Sequence, residues 1–569
     1  MRILSIDIFN FRGIKKARIS FPEESRVVCM IGAGDNTKTT ILKAIEWLLW
    51  NTWNLSANDN DFYNSDTSQN IIIRGTFTEI PEKLLAEDKF GMHLRCPGIE
   101  LKAGENDEPK EELPICLTIQ LEIDATLEPK WYVVCNRLEP KPISHIDRKQ
   151  MQFGSVGENC SRDMVWGKTS ILQRYVDSQK TLHQAYTTAL REAIDKVELK
   201  PLDDIAGILT DVGKQYGVGF SDEVNNRIIM QNGSFSSTVG VFDGKVPLTQ
   251  RGKGSQRLLS IGLNIQSFSG NTLLLIDEVE TGLEPYRLKS LIAELRSIYA
   301  ENGQVIMTTH SPVALAECTT KEIMIIQSLD GETTAYSLFS TDKDANSTFQ
   351  AELRRNAEAF LSKRLIVCEG KTEIGFVRSM DSFLYNSIGL RIAHHGIGVA
   401  DGGGQSIFKC AKILKNCGYD ICLLMDSDLP DEEEEKNIMR ENNVSVFDWD
   451  QGNALEEQVF YDATMTAVDA LINIAVDEKG EDSVKPKLDN NGIPYSISVD
   501  KLIIPPIDAE TRKKIGTIAK NKKSEWFKRI DLGEQLGNVM FSEWEHISET
   551  SKLKFIVNEL TEWIKNHDN

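Results

Sequence analysis

The chain has 569 residues, 41% of them hydrophobic and 26% charged, with a formal net charge of -21. That length buries more than one core, and the composition is that of a soluble globular protein. The charge excludes a uniformly basic coat for nucleic acid, though a local basic groove or bound cations reverse the sign where it matters. No apolar run reaches the length of a membrane span and the first residues carry no signal-peptide core, so a cytoplasmic protein without membrane contact is expected. The 10 cysteines are scattered with no CxxC pair, which points to reduced thiols rather than a disulfide framework or a zinc site.

The opening Met1–Phe21 alternates apolar and polar residues, as hairpin strands do. Val27–Ile31 is a short apolar strand, followed at once by GAGDNTKTTILKAIEWLLW. Strand, glycine-rich turn and helix in that order resemble the Walker A loop, G-x-x-x-x-G-K-[ST]. In such a loop Gly32 and Gly34 let the backbone approach phosphate, Lys38 reaches the β- and γ-phosphates, and Thr39 holds Mg²⁺, with Asn36 and Thr40 completing the nucleotide-binding segment. Thr37 departs from the motif, standing where its last glycine belongs. From Asn51 to Arg162, strands at Ile71–Ile80, Ile115–Ile123 and Trp131–Arg137 alternate with polar loops, and the charged segment Glu105–Glu112 reads as an exposed excursion. Between Thr169 and Val212 apolar residues including Ile171, Tyr175, Leu182, Leu190 and Val197 recur near a 3.6 period. That pattern fits either a helical insertion for self-association or an ordinary core helix pair.

Leu248–Leu263, LTQRGKGSQRLLSIGL, sets Gly252, Gly254 and Ser255 at a second phosphate-ready helix start. Leu273–Ile276 is short and wholly apolar, like a strand buried on both faces of a parallel sheet. Asp277 and Glu278 at its end fall where open α/β sheets bind ligands. Gln304–Pro312, QVIMTTHSP, is a further buried strand, ending at His310. The Lys38 loop, the Gly252 loop, the Asp277–Glu278 pair, the Glu284 turn and His310 follow the order of ABC-type and SMC-like ATPases, which the first 340 or so residues resemble. The resemblance implies that Asp277 helps to hold Mg²⁺, Glu278 polarises the attacking water and His310 senses the γ-phosphate of ATP. It further implies that Arg12 lies near the nucleotide and that the Ser255 loop contacts ATP bound to a second subunit, so that hydrolysis requires a homodimer or higher oligomer.

A second set of acids follows. LIVCEG ends a strand on Glu369, and the next turn starts a helix carrying Glu373; DICLLMDSD ends another on Asp426 and Asp428, which alternation puts on one side of the chain. Oxygen ligands at two strand ends suit hard divalent cations, although Asp-x-Asp alone more often closes a strand as a solvated turn. Together these strands resemble a TOPRIM domain, and an ATPase followed by TOPRIM resembles the overcoming-lysogenisation-defect (OLD) family of nucleases, which includes the Gabija nuclease-ATPase subunit and retron-associated effectors. That resemblance implies Glu369, Glu373, Asp426, Asp428, Asp431 and, from ALEEQVF, Glu456 in preference to Glu457 as ligands for Mg²⁺ or Mn²⁺. It implies a catalytic lysine in KNKKSEWFKR, with Lys522 and Lys523 equally placed.

The expected fold is therefore α/β: an ABC/SMC-like ATPase domain over residues 1–345, with a helical dimerisation insertion at 168–215, then a TOPRIM nuclease domain with C-terminal helices over 346–569. The expected function is an ATP-hydrolysing endonuclease that cuts DNA by two-metal hydrolysis as an antiphage effector, with a companion such as a reverse transcriptase and its retron nucleic acid or a helicase subunit. Three other readings stay open, one of them a toxin-like defence effector held silent by a companion nucleic acid or protein, which concerns regulation rather than chemistry. A topoisomerase- or primase-like enzyme is disfavoured by the lack of a CHC zinc ribbon or a strand-passage tyrosine motif, and an ATP-driven DNA-structural protein with relic acids by the intact spacing of Glu369, Glu373, Asp426 and Asp428.

Overall fold

A computed structural model of the chain describes residues 1–52, 54–102, 104–157, 159–166, 171–172, 200–229, 238–267, 272–429, 432–498 and 501–566. The chain divides into two compact units, Met1–Leu353 and Arg354–Asn569. The division falls near the end of the helix Lys343–Arg355, where the sequence reading sets it at 345/346.

The strands of the first unit are β1 (Arg2–Phe11), β2 (Ile14–Ser20), β3 (Val27–Ile31), β4 (Ile71–Thr78), β5 (Leu117–Ile123), β6 (Pro129–Val134), β7 (Lys141–Pro142) and β8 (Phe153–Val156). After them come β9 (Val224–Ile229), β10 (Thr238–Asp243), β11 (Val246–Pro247), β12 (Leu273–Ile276), β13 (Gln304–Thr308), β14 (Ile323–Leu329) and β15 (Glu332–Ser337). Among the described residues twelve of these form one sheet in the order β7-β6-β5-β4-β1-β2-β15-β14-β3-β13-β12-β8, and β9–β11 form a small sheet of their own. Pairings from β2 through β1, β4, β5 and β6 to β7 are antiparallel, whereas β14, β3, β13, β12 and β8 run parallel. Every residue of β3, β12 and β13 is buried, which is why their sequences are unbroken apolar runs: a parallel strand is covered on both faces and has no polar side to offer. The edge-ward strand β4 instead alternates buried and half-buried positions.

Two sequence expectations meet the structure differently. Glu105–Glu112 is not simply a solvated excursion, because Asp107 is fully buried. Its carboxylate accepts hydrogen bonds from Arg95 Nε (2.6 Å), Arg137 Nε (2.8 Å) and the backbone nitrogen of Asn136 (2.9 Å), the full pairing that a buried charge requires. Of the 168–215 insertion, the helix Lys200–Gln215 is described and buries Leu202, Ile205, Leu209 and Val212, with Val212 and Tyr216 lying over Gly262. Tyr175 to Val197 lie outside the described residues.

The second unit is built on β16 (Arg364–Cys368), β17 (Ile397–Asp401), β18 (Asp420–Met425) and β19 (Ser445–Asp448), paired in parallel in the order β17-β16-β18-β19. A short hairpin, β20 (Ser496–Ser498) and β21 (Lys501–Ile503), and helices from Leu455 to Lys565 complete it. One apolar core unites strands and helices, with Ile366, Phe376, Cys422, Leu424, Phe460, Trp526 and Leu536 all buried. The helix Lys371–Ile388, which carries Glu373 in its first turn, crosses the helix Ile530–Ser542 backbone to backbone. A Cβ on Gly375 would lie 2.2 Å from the Ile530 carbonyl oxygen, and one on Gly533 2.4 Å from that of Thr372. Neither backbone can retreat without moving a core helix, so Gly375→Ala is expected to destabilise the protein by about 1–3 kcal/mol. Gly207, mid-helix with open space where its Cβ would stand, provides the contrast: Gly207→Ala is expected to stabilise by about 0.5–1 kcal/mol through helix propensity. Urea unfolding of both variants reads the two signs, and an unchanged Gly375→Ala midpoint would show that the crossing is loose.

Candidate functional site

In the first unit β3, β13 and β12 are neighbours and parallel, so their carboxyl ends open onto one crevice, the usual ligand position of such sheets. The phosphate loop leaves β3 at Gly32, whose φ is 143 and whose Cβ would stand 2.3 Å from the Ile326 carbonyl oxygen. No other residue fits there. Thr37, in place of the motif's last glycine, takes the left-handed conformation (φ 56) that a β-branched residue rarely adopts, and its hydroxyl meets that of Thr333 at 3.0 Å. The helix Lys38–Leu48 has no acid in its first turn and no side-chain cap, leaving its positive end for an anion. Lys38 folds back on the loop, donating to the carbonyls of Gly32 (3.0 Å) and Ala33 (2.7 Å). Burial lowers its pKa to about 8, against the opposing pull of Asp277 and other acids.

Asp277 follows β12 directly, and its Oδ1 accepts from Thr39 Oγ1 (3.1 Å) and Thr308 Oγ1 (2.6 Å). The Thr308 hydroxyl oxygen accepts in turn from the backbone nitrogen of Glu278 (2.7 Å). Glu278 is left-handed, with φ 48, the kind of local strain that accompanies functional positions, and its carboxylate accepts from Thr281 Oγ1 (3.0 Å). Glu280 straps the histidine loop to this acidic turn: it accepts from Thr309 Oγ1 (2.6 Å) and from the backbone nitrogen of His310 (2.6 Å). Burial, and then Lys38, hold the His310 imidazole below the ordinary histidine range, so it is neutral at pH 7. Arg12 is also left-handed (φ 51); its Nε donates to Asp61 Oδ1 (2.9 Å), and its guanidinium lies over the rings of Phe11 and Trp47. Gly252 caps the helix Lys253–Gln266 without a side-chain bond, and Ser255 sits half-buried in its first turn. Arg257, fully buried in the same helix, donates to the carbonyls of Gly157 (3.2 Å) and Asp277. Gly34 is exposed, and Asn36 donates to the Ile326 carbonyl (2.9 Å), while Thr40 is half-buried in the first turn after Lys38.

In the second unit Glu369 ends β16 and Asp426 ends β18, its neighbour. Glu369 Oε2 accepts from the backbone nitrogen of Asp426 (2.9 Å), and Asp426 Oδ1 from that of Leu455 (2.9 Å), so the helix Leu455–Asp462 is tied by its first residue to the strand end. That helix brings in Glu456. Glu373 closes the start of its own helix by accepting from the backbone nitrogen of Gly370 (2.9 Å). Burial first, and then Glu456, push the Glu373 carboxyl up to about 7. Burial, Glu373, Glu369 and Glu456 push Asp426 well above the carboxylate range, and burial with the nearby Asp428 charge raises Glu369. Like charges gathered away from water cannot all stay ionised without a cation.

Glu456 supplies the sharpest sign of one. It is fully buried, and among the described residues neither carboxylate oxygen has a hydrogen-bond partner, a costly arrangement that a divalent ion would relieve. Among the described residues no three acidic, histidine or cysteine side chains stand ready-made around a metal position; hard oxygen donors such as these suit divalent cations. Glu457, by contrast, is fully engaged by the Ala454 backbone nitrogen (2.9 Å), Thr517 Oγ1 (2.7 Å) and Lys520 Nζ (2.6 Å). Asp428 Oδ2 also accepts from Lys520, at 3.2 Å. Asp431 lies outside the described residues.

The cations around these acids are not the ones the sequence singles out. Lys522 and Lys523 are exposed on the turn after the helix Ala509–Lys520, and no ion pair of either is found among the described residues. Lys528 stands 3.8 Å from Glu456 Oε1; although burial opposes it, Glu456 and Glu373 hold its ammonium above the ordinary lysine range. Lys436 is buried and donates to the Asp426 carbonyl (3.0 Å), Ser427 Oγ (2.9 Å) and Asp448 Oδ2 (3.1 Å), pinning the backbone that presents Asp426. Glu280, Thr308, Lys436, Lys520 and Lys528 were not legible as site residues, since each meets its partner across the fold rather than within a motif.

Comparison with known proteins adds three family matches. Residues 1–118 match the AAA ATPase domain, residues 137–316 the AAA domain described as a putative AbiEii toxin of a type IV toxin–antitoxin system, and residues 360–428 the TOPRIM domain of overcoming lysogenization defect protein-like sequences. The Old nuclease of Escherichia phage P2 is 26% identical over 216 residues, which are 34% of this chain and 36% of that protein; the chain thus spans about a third of the length of that relative. An SMC head bound to the C-terminal winged-helix domain of ScpA superposes with a TM-score of 0.38 at 17% identity over 60% of this chain and 99% of the other. The SMC head with an extended coiled coil, bound to a ScpA C-terminal domain derived from Pyrococcus furiosus, gives 0.37 at 16% identity over 59% and 96%. With ATPase matches ahead of an OLD-type TOPRIM match on the same chain, the protein joins an ATPase domain to a TOPRIM domain similar to that of overcoming lysogenization defect protein-like sequences.

Proposed function

We propose that this chain is an ATP-hydrolysing, metal-dependent endonuclease acting on DNA, with cleavage at Glu369, Glu373, Asp426 and Glu456. The buried Glu456 carboxylate, without a hydrogen-bond partner among the described residues and set with Glu369 and Asp426 after two strands and Glu373 in a helix's first turn, is the observation that carries the reading. Divalent ions in such sites activate water and stabilise the leaving oxygen. Glu369, Glu373, Asp426 and Glu456 would hold them, Lys436 fixes the strand end that aims Asp426, and Lys528 neutralises charge on the scissile phosphate. Exposed Lys522 and Lys523 then serve flanking phosphates.

In the ATPase unit Lys38 would exchange its two loop carbonyls for the nucleotide's phosphates, Thr39 and Asp277 would hold its Mg²⁺, Glu278 would orient the attacking water, and His310, strapped by Glu280, would sense the γ-phosphate. Gly252 and Lys253 are exposed beside a cleft of about 340 Å³ lined by Arg251, Lys253 and Gln256 among others, which supports a homodimer whose second copy presents its nucleotide there. The resemblance to Gabija and retron-associated chains supports an antiphage role with a companion reverse transcriptase or helicase.

Incubation with supercoiled plasmid and Mg²⁺ or Mn²⁺ tests the core of this reading. Glu369→Ala, Asp426→Ala and Glu456→Gln are expected to lower cleavage by orders of magnitude while phosphate release from ATP survives; Glu278→Gln is expected to do the reverse to ATP turnover. Normal cutting by all three acid variants would end the nuclease proposal. For Lys38, phosphate contact favours the charged amine, so ATP affinity is expected to fall as pH rises through about 8 and to stay flat over that range in Lys38→Arg, whose guanidinium does not titrate there. Binding of a fluorescent ATP analogue across that range reads it, and a flat wild-type profile would place Lys38 away from the phosphates.

A third expectation concerns stability without metal. Because the folded Glu373 pKa of about 7 lies above its unfolded value, the folded state keeps the proton to higher pH. Stability is therefore greatest below about 4.5 for this group and declines by on the order of 3 kcal/mol as pH rises to about 7. Urea unfolding in a chelator at both ends of that window checks the sign, and Glu456→Gln, which removes a neighbouring charge, should flatten the slope.

A further inference from the structure

The acids of the second unit do not form a uniform cluster. Glu369, Glu373, Asp426 and Glu456 have no ammonium at hydrogen-bond distance from their carboxylates among the described residues: Lys528 stands 3.8 Å from Glu456, and Lys436 bonds the carbonyl of Asp426 rather than its carboxylate. Asp428 and Glu457 are different, since one ammonium, that of Lys520, bridges them at 3.2 Å and 2.6 Å. Lys520 is delivered there by rigid structure. One turn earlier in its helix, a Cβ on Gly516 would lie 2.6 Å from the Glu456 carbonyl oxygen, so that helix packs directly on the backbone bearing Glu456 and Glu457, and its final residue is set over their helix. Despite burial, Glu457 and Asp428 hold the Lys520 ammonium above the ordinary lysine range, which keeps it charged at any working pH.

We propose that Lys520 stands in for a second divalent cation: the four acids Glu369, Glu373, Asp426 and Glu456 take one ion, and the Asp428 side of the site is filled by the Lys520 ammonium. A divalent ion approaching Asp428 meets a fixed like charge and a carboxylate already committed, so a second ion enters only if Lys520 leaves. The inference rests on the metal-dependent reading above and narrows it, from a symmetric two-ion centre to one ion with a built-in lysine partner. It makes Lys520 a positioning residue that sets ion stoichiometry, while Lys528 faces the reacting phosphate.

The test is binding rather than activity. Mn²⁺ is titrated into the full-length, nucleotide-free chain and followed by calorimetry and by the electron paramagnetic resonance of free Mn²⁺, with Asp426→Ala as the blank for sites elsewhere. Wild type is expected to take a single ion per chain at this centre. Lys520→Met, which frees Asp428 and Glu457, is expected to take a second ion with affinity raised roughly tenfold or more, and Lys520→Arg, which keeps a cation in place, to match wild type. Two ions of equal affinity in wild type, or a stoichiometry unchanged in a folded Lys520→Met, would overturn the inference and leave the metal reading standing. Should Lys520→Met not fold, the wild-type stoichiometry decides alone. No difference between wild type and the Asp426→Ala blank would overturn the metal reading itself, and the inference with it.

Discussion

Four neighbouring carboxylates, of which Glu373, Asp426 and Glu456 are buried and Glu369 is half-buried, set the terms on which the second unit exists. Their mutual repulsion in a low-dielectric place is unfavourable, and the fold meets it chiefly with rigid backbone, Lys528 adding a long ion pair of 3.8 Å to Glu456. Backbone nitrogens of Asp426, Leu455 and Gly370 fix three of the carboxylates. Lys436 locks the strand end, and the Gly375–Gly533 crossing prevents the Glu373 helix from tilting away. The apolar core around Phe376, Leu424 and Phe460 supplies the stabilisation that offsets this stored repulsion, which a cation then releases.

The first unit solves a related problem by other means. Its acids Asp277, Glu278 and Glu280 are partnered by hydroxyls, from Thr39, Thr308, Thr281 and Thr309, so their charge is met by neutral donors. Two of those threonines lie on or directly after β13, between the phosphate loop and the acidic strand. The strand order β3-β13-β12 is therefore what lets one hydrogen-bond relay run from Thr39 through Asp277 and Thr308 to Glu278.

Much of this was legible in the sequence, and the reasons divide cleanly. Strands such as Val27–Ile31 and Leu273–Ile276 announce themselves because parallel pairing forces every position to be apolar, and the acids that follow them mark the strand ends. Groups acting through tertiary contact leave no such mark. Glu280 reads as an ordinary turn residue because its partners lie on another strand, and Asp107 hides in a charged run although it is the buried member of it. Lys520, at the head of the same basic run as Lys522 and Lys523, meets Asp428 and Glu457 across the fold, a pairing that the spacing of lysines in the sequence does not mark. The glycine one turn earlier, Gly516, was the available clue: a residue without a side chain marks the face that touches another backbone, and position 520 shares that face.

Arg257 gives the nucleotide crevice a mechanical property. Its guanidinium joins the helix that begins at Gly252 to the carbonyl of Asp277 and to Gly157 beyond β8, and it is buried, so water cannot substitute for it. The helix start and the acidic strand end are therefore tied by a buried side chain rather than by a flexible linker. A shift of the Asp277 backbone would accordingly be felt at the exposed rim formed by Gly252 and Lys253.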